Sequence, residues 1–171
     1  MGTEVCSVYM RDSATDRYVF RATEGLNQEQ VGVASLAAGE GLVGLVAERE
    51  EPVNLENAEN HPSFQFLPGI GEEHYHAFLG VPIIHQRDVL GVLVVQQGQR
   101  RRFDESEEAF LVTMSAQLAG VIAHAQVTGA VQEQALAGEG APAKISGVPG
   151  APGIAIGTAV VVSPCLLYTS P

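Results

Sequence analysis

Hydrophobic residues between positions 77 and 96 fall into two β-branched runs, 81–84 and 89–95, on either side of the polar break His85-Gln86-Arg87-Asp88. Two such runs joined by a short polar segment predict an antiparallel hairpin. Neither run alternates with polar residues. Successive strand side chains point to opposite faces, so Leu90, Val92 and Val94 on one face and Leu93 and Val95 on the other all require cover. The hairpin is therefore expected at the centre of a sheet that carries helices on both faces.

Residues 5–10 and 17–23 are shorter β-prone runs separated by Arg11-Asp12-Ser13-Ala14-Thr15-Asp16, which predicts a second hairpin. Cys6, Val8 and Met10 share one face of its first strand, which makes Cys6 a small core residue. A short helix within 24–30 and a third strand over 31–36 follow. Leu42, Leu45 and Val46 then recur at helical spacing, with Arg49 next on that face, and Pro52 forces an end near Glu50. Proline at its first position suits 52–55 to an edge strand. Segment 57–71 carries two prolines, two glycines and the large apolar Phe64, Phe66, Leu67 and Ile70. It is too long for a plain connection, which points to a lid or binding loop. Asp104, with Glu107 three residues on, marks a helix start. Phe110, Leu111, Met114, Leu118, Val121, Ile122 and Ala125 keep a 3.6-residue period, and the pattern runs toward Leu136. A helix beyond ~25 residues without an internal cap points to a coiled coil or inter-domain rod. Its later turns, with Leu118, Val127 and Val131, are expected to contact a second subunit.

Gly138-Glu-Gly-Ala-Pro142 breaks that helix, and 147–162 begins a new apolar strand with no partner in the residues that follow. A lone strand buries too little to fold. The expected organisation is a folded domain over 4–137, a linker over 138–146, and the opening of a truncated second domain over 147–171.

Nine Lys and Arg against twenty Asp and Glu give a formal charge of -11. Such a charge repels nucleic acid and anionic lipid. Arg100-Arg101-Arg102, a basic run, reads as a solvated strand end. Two cysteines near opposite ends imply no disulfide framework. With no signal peptide and no apolar run near the ~18 residues a membrane span needs, a cytoplasmic protein with no membrane or nucleic-acid partner is expected.

Gly39, Gly41 and Gly44 flank the start of the Leu42 helix, where exposed amide N–H groups can meet a carboxylate. Gly41, Leu42, Arg49, Phe64, Phe66, His76 and Phe78 are the candidate ligand-binding residues, for an amino acid or dicarboxylate rather than a nucleotide, which needs more cations than Arg49 and Arg87. The bland alternative is that the phenylalanines simply cap the core. His61, His74 and His76 with Glu72 and Glu73 lack the fixed spacing of a metal site, so no metal is expected.

The segments Gly41-Leu-Val-Gly-Leu-Val46, His61-Pro-Ser-Phe64, Ala77-Phe-Leu-Gly-Val-Pro-Ile-Ile84 and Leu90-Gly-Val-Leu-Val-Val-Gln96 resemble the GAF sensor domains of nitrogen-branch phosphoenolpyruvate-protein phosphotransferases. Gly147-Val-Pro-Gly-Ala-Pro-Gly-Ile-Ala is similar to the opening strand of their phosphohistidine domain. The resemblance implies an α+β fold: a twisted antiparallel sheet of about six strands, helices on both faces and a long C-terminal helix. It also implies a small-molecule pocket, here for glutamine or 2-oxoglutarate, and a homodimer through terminal helices. In such proteins phosphate passes from phosphoenolpyruvate, with magnesium, to a histidine and on to an HPr-like phosphocarrier. None of His61, His74, His76, His85 or His124 sits in that histidine's Gly-rich context. The chain is therefore expected to hold no catalytic residue and no cofactor, and to lack the family's leading helix. Three alternatives remain. One is a dimerisation module without a ligand. Another is a free-standing methionine sulfoxide reductase, which needs loop cysteines where Cys6 sits in a strand. The third is cyclic-nucleotide binding, for which Phe103-Asp-Glu105 is only half of the motif.

Overall fold

Six strands build one antiparallel sheet in the computed structural model, which describes residues 2–138 and the side chains of 2–128. In chain order these are β1 (Val5–Asp12), β2 (Arg17–Glu24), β3 (Ser35–Ala37), β4 (Val53–Leu55), β5 (Ala77–His85) and β6 (Asp88–Gln97), with helices α1 (Gly41–Arg49) and α2 (Glu105–Gly138). The strand order is β3-β2-β1-β6-β5-β4, so the two hairpins join through β1 and β6. β6 is thus internal, as its two-sided hydrophobicity requires.

Each face has its own core. On one, Tyr9, Phe20, Phe78, Val92 and Val94 pack against α1 and the segment after β4. On the other, Cys6, Val8, Leu79, Val81, Leu93 and Val95 pack against Phe103, Leu111, Leu118 and Ala119 of the α2 region. Tyr9 and Phe20 meet with ring centroids 5.1 Å apart. Burying a side chain such as Phe20 contributes roughly 1.5–3 kcal/mol.

Two bulges change which face the residues take. Leu90 packs on the α2 side with Leu93, not with Val92 and Val94 as strict alternation predicts. The cause is a register shift: Ile83 pairs with Gly91 and Ile84 with Val89, leaving Leu90 unopposed. Arg21 is skipped in the same way, because Val8 pairs with Ala22 and Tyr9 with Phe20. Tyr18 and Phe20 thereby face α1 while Ala22 faces α2.

The third strand is shorter than the expected 31–36. Residues 31–33 turn instead, with Gly32 at φ +82° and the N–H groups of Val33 and Ala34 both donating to the Gln30 carbonyl. Val33 is left 71% exposed. The helix expected within 24–30 is a single 3-10 turn over Gln28–Gln30, because β2 extends to Glu24.

α1 lies close to the sheet because glycines leave room for it. A Cβ on Gly44 would stand 2.3 Å from the Ala37 carbonyl oxygen, and one on Gly80 would stand 2.9 Å from a Val46 methyl group. The helix ends at Glu50, which adopts a left-handed conformation (φ 56°, ψ 27°) and donates its N–H to the Val46 carbonyl. Pro52 then prevents continuation.

The start of α2 is fixed by a reciprocal capping box: Glu107 N–H donates to Asp104 at 2.9 Å, and Asp104 N–H to Glu107 at 2.9 Å. Arg101 adds two bonds to the Glu107 carboxylate, both 2.8 Å, and lies over the Phe103 ring. Asn54 of β4 holds the same point from across the fold. Its amide donates to the Phe103 carbonyl at 2.9 Å and to Glu108 at 2.9 Å, and its carbonyl accepts the Phe103 N–H at 3.2 Å.

The stretch Glu105–Thr128 is long and apolar enough to cross a membrane by length and composition, which corrects the reading that no segment approaches that limit. Its inner stripe of Leu111, Leu118 and Ala119 is covered by the sheet. The expected linker beyond residue 138 and the strand over 147–162 lie outside the described residues.

Candidate ligand pocket between the sheet and the first helix

The face of the sheet that carries α1 is not wholly apolar. Ser7 and Tyr9 of β1 share a parity with Val5, and Gln96 of β6 shares one with Val94, so all three project toward α1. Each is buried. They form the floor of a cavity walled by Gly41, Leu42 and Val43 of α1, with Leu36, Phe78 and Val94 completing the apolar side. Phe64, Gln65, Leu67 and Glu72, from the long segment between β4 and β5, roof it.

The roof is tied down at several points. Gln65 donates to Glu40 at 3.4 Å, and Leu67 N–H donates to Glu72 at 3.2 Å. Asn27 N–H donates to the Ile70 carbonyl at 2.9 Å, and the Asn27 amide donates to the Gly69 carbonyl at 2.8 Å. Ile70 is fully buried and anchors the roof's far end. With the roof in place, the cavity has a volume of about 20 Å³. A single water needs ~10–15 Å³, so a ligand enters only if the roof moves.

Electrostatically the cavity is one-sided. Among the described residues its lining contains one ionisable carboxyl, Glu72, and no Lys, Arg or His. Burial raises the Glu72 pKa above the ordinary carboxylate range, an effect opposed by its bonds from the Leu67 N–H and Gln96. Burial, and secondly the Glu72 carboxylate, also raise the pKa of Tyr9, so the phenol keeps its proton at any physiological pH. The Ser7 hydroxyl is engaged with Thr23 at 2.8 Å.

Of the residues singled out from the sequence, Gly41, Leu42, Phe64 and Phe78 come together in this lining. Arg49, Phe66 and His76 do not. Arg49 lies on the exposed last turn of α1, and Phe66 is 45% exposed on the outside of the roof. His76 sits at the base of β5, its Nδ1 3.6 Å from a Glu59 oxygen: close enough for an ion pair, too long for a hydrogen bond. The N–H groups of Gly39 and Gly44 are already committed, to the Gly44 and Glu40 carbonyls respectively. Of the three glycines, only Gly41 faces the cavity. Among the described residues no three His, Cys, Asp or Glu side chains are grouped to hold a metal. On α2, Leu118 is 5% exposed and packs on its own sheet, while Val127 is 63% exposed; the Val131 side chain lies outside those described.

Sequence reasoning missed Ser7, Tyr9, Gln96 and Glu72. The signal was available for the first three: polar atoms at positions whose parity sends them inward.

A six-stranded sheet with α1 on one face and a long helix on the other is a fold shared with known proteins. Residues 1–122 match the GAF domain family. The chain belongs to that family. Its solved relatives include the GAF domain of a phosphoenolpyruvate-protein phosphotransferase from Coxiella burnetii, 52% identical, TM-score 0.72, covering 75% of this chain and 76% of that one. The corresponding Acinetobacter GAF domain is also 52% identical, with TM-score 0.66 over 74% and 75% of the two chains. A Salmonella typhimurium protein described as "Phosphoenolpyruvate-dependent phosphotransferase system" is 49% identical over 92% of this chain. The chain spans 20% of that relative's length. This GAF domain therefore matches those of phosphoenolpyruvate-protein phosphotransferases, with the six-stranded sheet and long C-terminal helix that the sequence implied.

Proposed function

We propose that this GAF domain is the regulatory sensing module of a phosphoenolpyruvate-protein phosphotransferase of the nitrogen branch, and that its effector is a small polar metabolite, glutamine or 2-oxoglutarate. The observation that carries the reading is the cluster of buried polar side chains, Ser7, Tyr9 and Gln96, that lines a cavity in an otherwise apolar core. Polar groups are costly to bury and are retained where they are satisfied or used. The roof over 61–72 supports the same reading, since long connections of this kind are commonly binding loops.

In the proposed arrangement the chain itself is non-catalytic and binds no metal or cofactor. Magnesium, phosphoenolpyruvate and the HPr-like phosphocarrier belong to the rest of the full-length protein, in the cytoplasm. The exposed Val112, Val121 and Val127 on the outer side of α2 support a homodimer contact through that helix.

Calorimetric titration of the chain with glutamine, 2-oxoglutarate and cyclic nucleotides tests the sensing role. Saturable binding of glutamine or 2-oxoglutarate is expected. Binding of a cyclic nucleotide alone would overturn the assignment, and binding of none would favour a dimerisation module without a ligand.

A further inference from the structure

Resting on the sensing reading above, we infer that Glu72 selects the effector: its carboxylate receives the ligand's ammonium group, so the pocket favours an amino acid over an oxo-acid of the same length. Three observations converge on this residue. Among the described residues Glu72 is the single charged side chain in the lining, and no Lys, Arg or His there offsets it. An entering dianion would add two negative charges beside Glu72 in a half-buried site with no counter-charge, whereas an ammonium group supplies the missing one.

Glu72 also stands where roof and floor meet. It accepts the Leu67 N–H of the roof at 3.2 Å and is hydrogen-bonded to Gln96 of β6. A carboxylate has about four acceptor sites, so these two bonds leave capacity for a ligand. Because the cavity is about 20 Å³ with the roof down, a ligand must displace Leu67 and its neighbours. Glu72 then exchanges a neutral amide donor for a charged one, a stronger partner. The first turn of α1 presents Gly41, Leu42 and Val43 to the same space. Its N-terminal end carries the opposite partial charge and suits the carboxylate end of a zwitterion.

The test is calorimetric titration of the wild-type chain and Glu72→Gln with glutamine, 2-oxoglutarate and 2-oxoglutaramate, the last carrying an oxo group in place of glutamine's ammonium. Glu72→Gln keeps the shape and an acceptor for Leu67. The ratio of the 2-oxoglutarate Kd to the glutamine Kd is expected to fall at least about tenfold in the variant, the size of one charge-assisted bond. Should the variant not fold, the wild-type comparison still decides, with 2-oxoglutaramate expected to bind at least about tenfold more weakly than glutamine. An unchanged ratio, or 2-oxoglutaramate binding as tightly as glutamine, would overturn the role of Glu72 and leave the sensing reading standing. Failure of the wild type to bind glutamine and 2-oxoglutarate alike would overturn both.

Discussion

Replacing Asn54 with alanine is expected to destabilise the domain far more than its position on a three-residue edge strand implies. The side chain makes three hydrogen bonds, two of them to the backbone N–H and C=O of Phe103, 49 residues away. Phe103 is 3% exposed, so alanine leaves its N–H shielded from water without a partner. An orphaned buried polar group costs ~1–3 kcal/mol, and the lost bond to the charged Glu108 adds to it, giving an expected loss of roughly 2–4 kcal/mol. For a domain of this size that lowers Tm by roughly 6–15 °C. Urea denaturation followed by circular dichroism measures it, with an unchanged m-value as the sign that only stability moved. Asn54→Asp is a useful companion, since it keeps the acceptor for Phe103 N–H but sets a second carboxylate against Glu108. It is expected to be at least as damaging as alanine near pH 7. A loss below about 0.5 kcal/mol for Asn54→Ala, the range of an ordinary surface substitution, would refute the view that this side chain fixes the start of α2.

The turn between β5 and β6 places both Gln86 and Arg87 at positive φ, 49° and 73°, which suits Asn-Gly far better. The double replacement Gln86→Asn with Arg87→Gly is expected to stabilise the domain by about 1 kcal/mol in the same denaturation assay. The bonds from Arg101, above all, hold the Glu107 pKa below the ordinary carboxylate value. A lowered folded-state pKa adds stability that is complete above the unfolded value of ~4.3 and is lost as pH falls through the folded one. Glu107→Gln should accordingly flatten the decline in Tm below about pH 4, and a decline identical to wild type would show that other carboxylates govern it. If α2 self-associates through its outer face, Val127→Glu should weaken the dimer in sedimentation velocity, and a monomer before and after the change would rule that contact out.

Legibility in the sequence followed the range of the interaction. The β5–β6 hairpin was readable because β-branched residues crowd both faces of a short segment, and the start of α2 because a capping box is written within four residues. The facing of Leu90 was not readable. The bulge that turns it toward α2 depends on Gly91 letting the Tyr9 carbonyl come close, since a Cβ there would stand 2.3 Å from that oxygen. Val31-Gly-Val33 reads as strand from its valines, but Gly32 takes a left-handed conformation and the chain turns. Asn54 looks like a poor strand residue until its partner at Phe103 is adjacent in space. In the pocket, the apolar contributors were found from size and loop context. Helical spacing alone points Arg49 toward the pocket, yet Arg49 lies past the end of the covered face of α1. Glu72 reads in the sequence only as a neighbour of several histidines, because nothing local reveals that the roof brings it into one cavity with Gln96.

Hydrogen exchange of the chain with and without saturating glutamine, resolved to short peptides, tests most directly whether the sheet–α1 cavity is the sensing site. Ligand held beneath the roof should slow exchange across 61–72 and at the floor strands around Tyr9 and Gln96, while the turn at 86–87 stays unchanged. Glutamine binding that leaves 61–72 untouched, with slowing confined to α2 or the β5–β6 turn, would contradict the account.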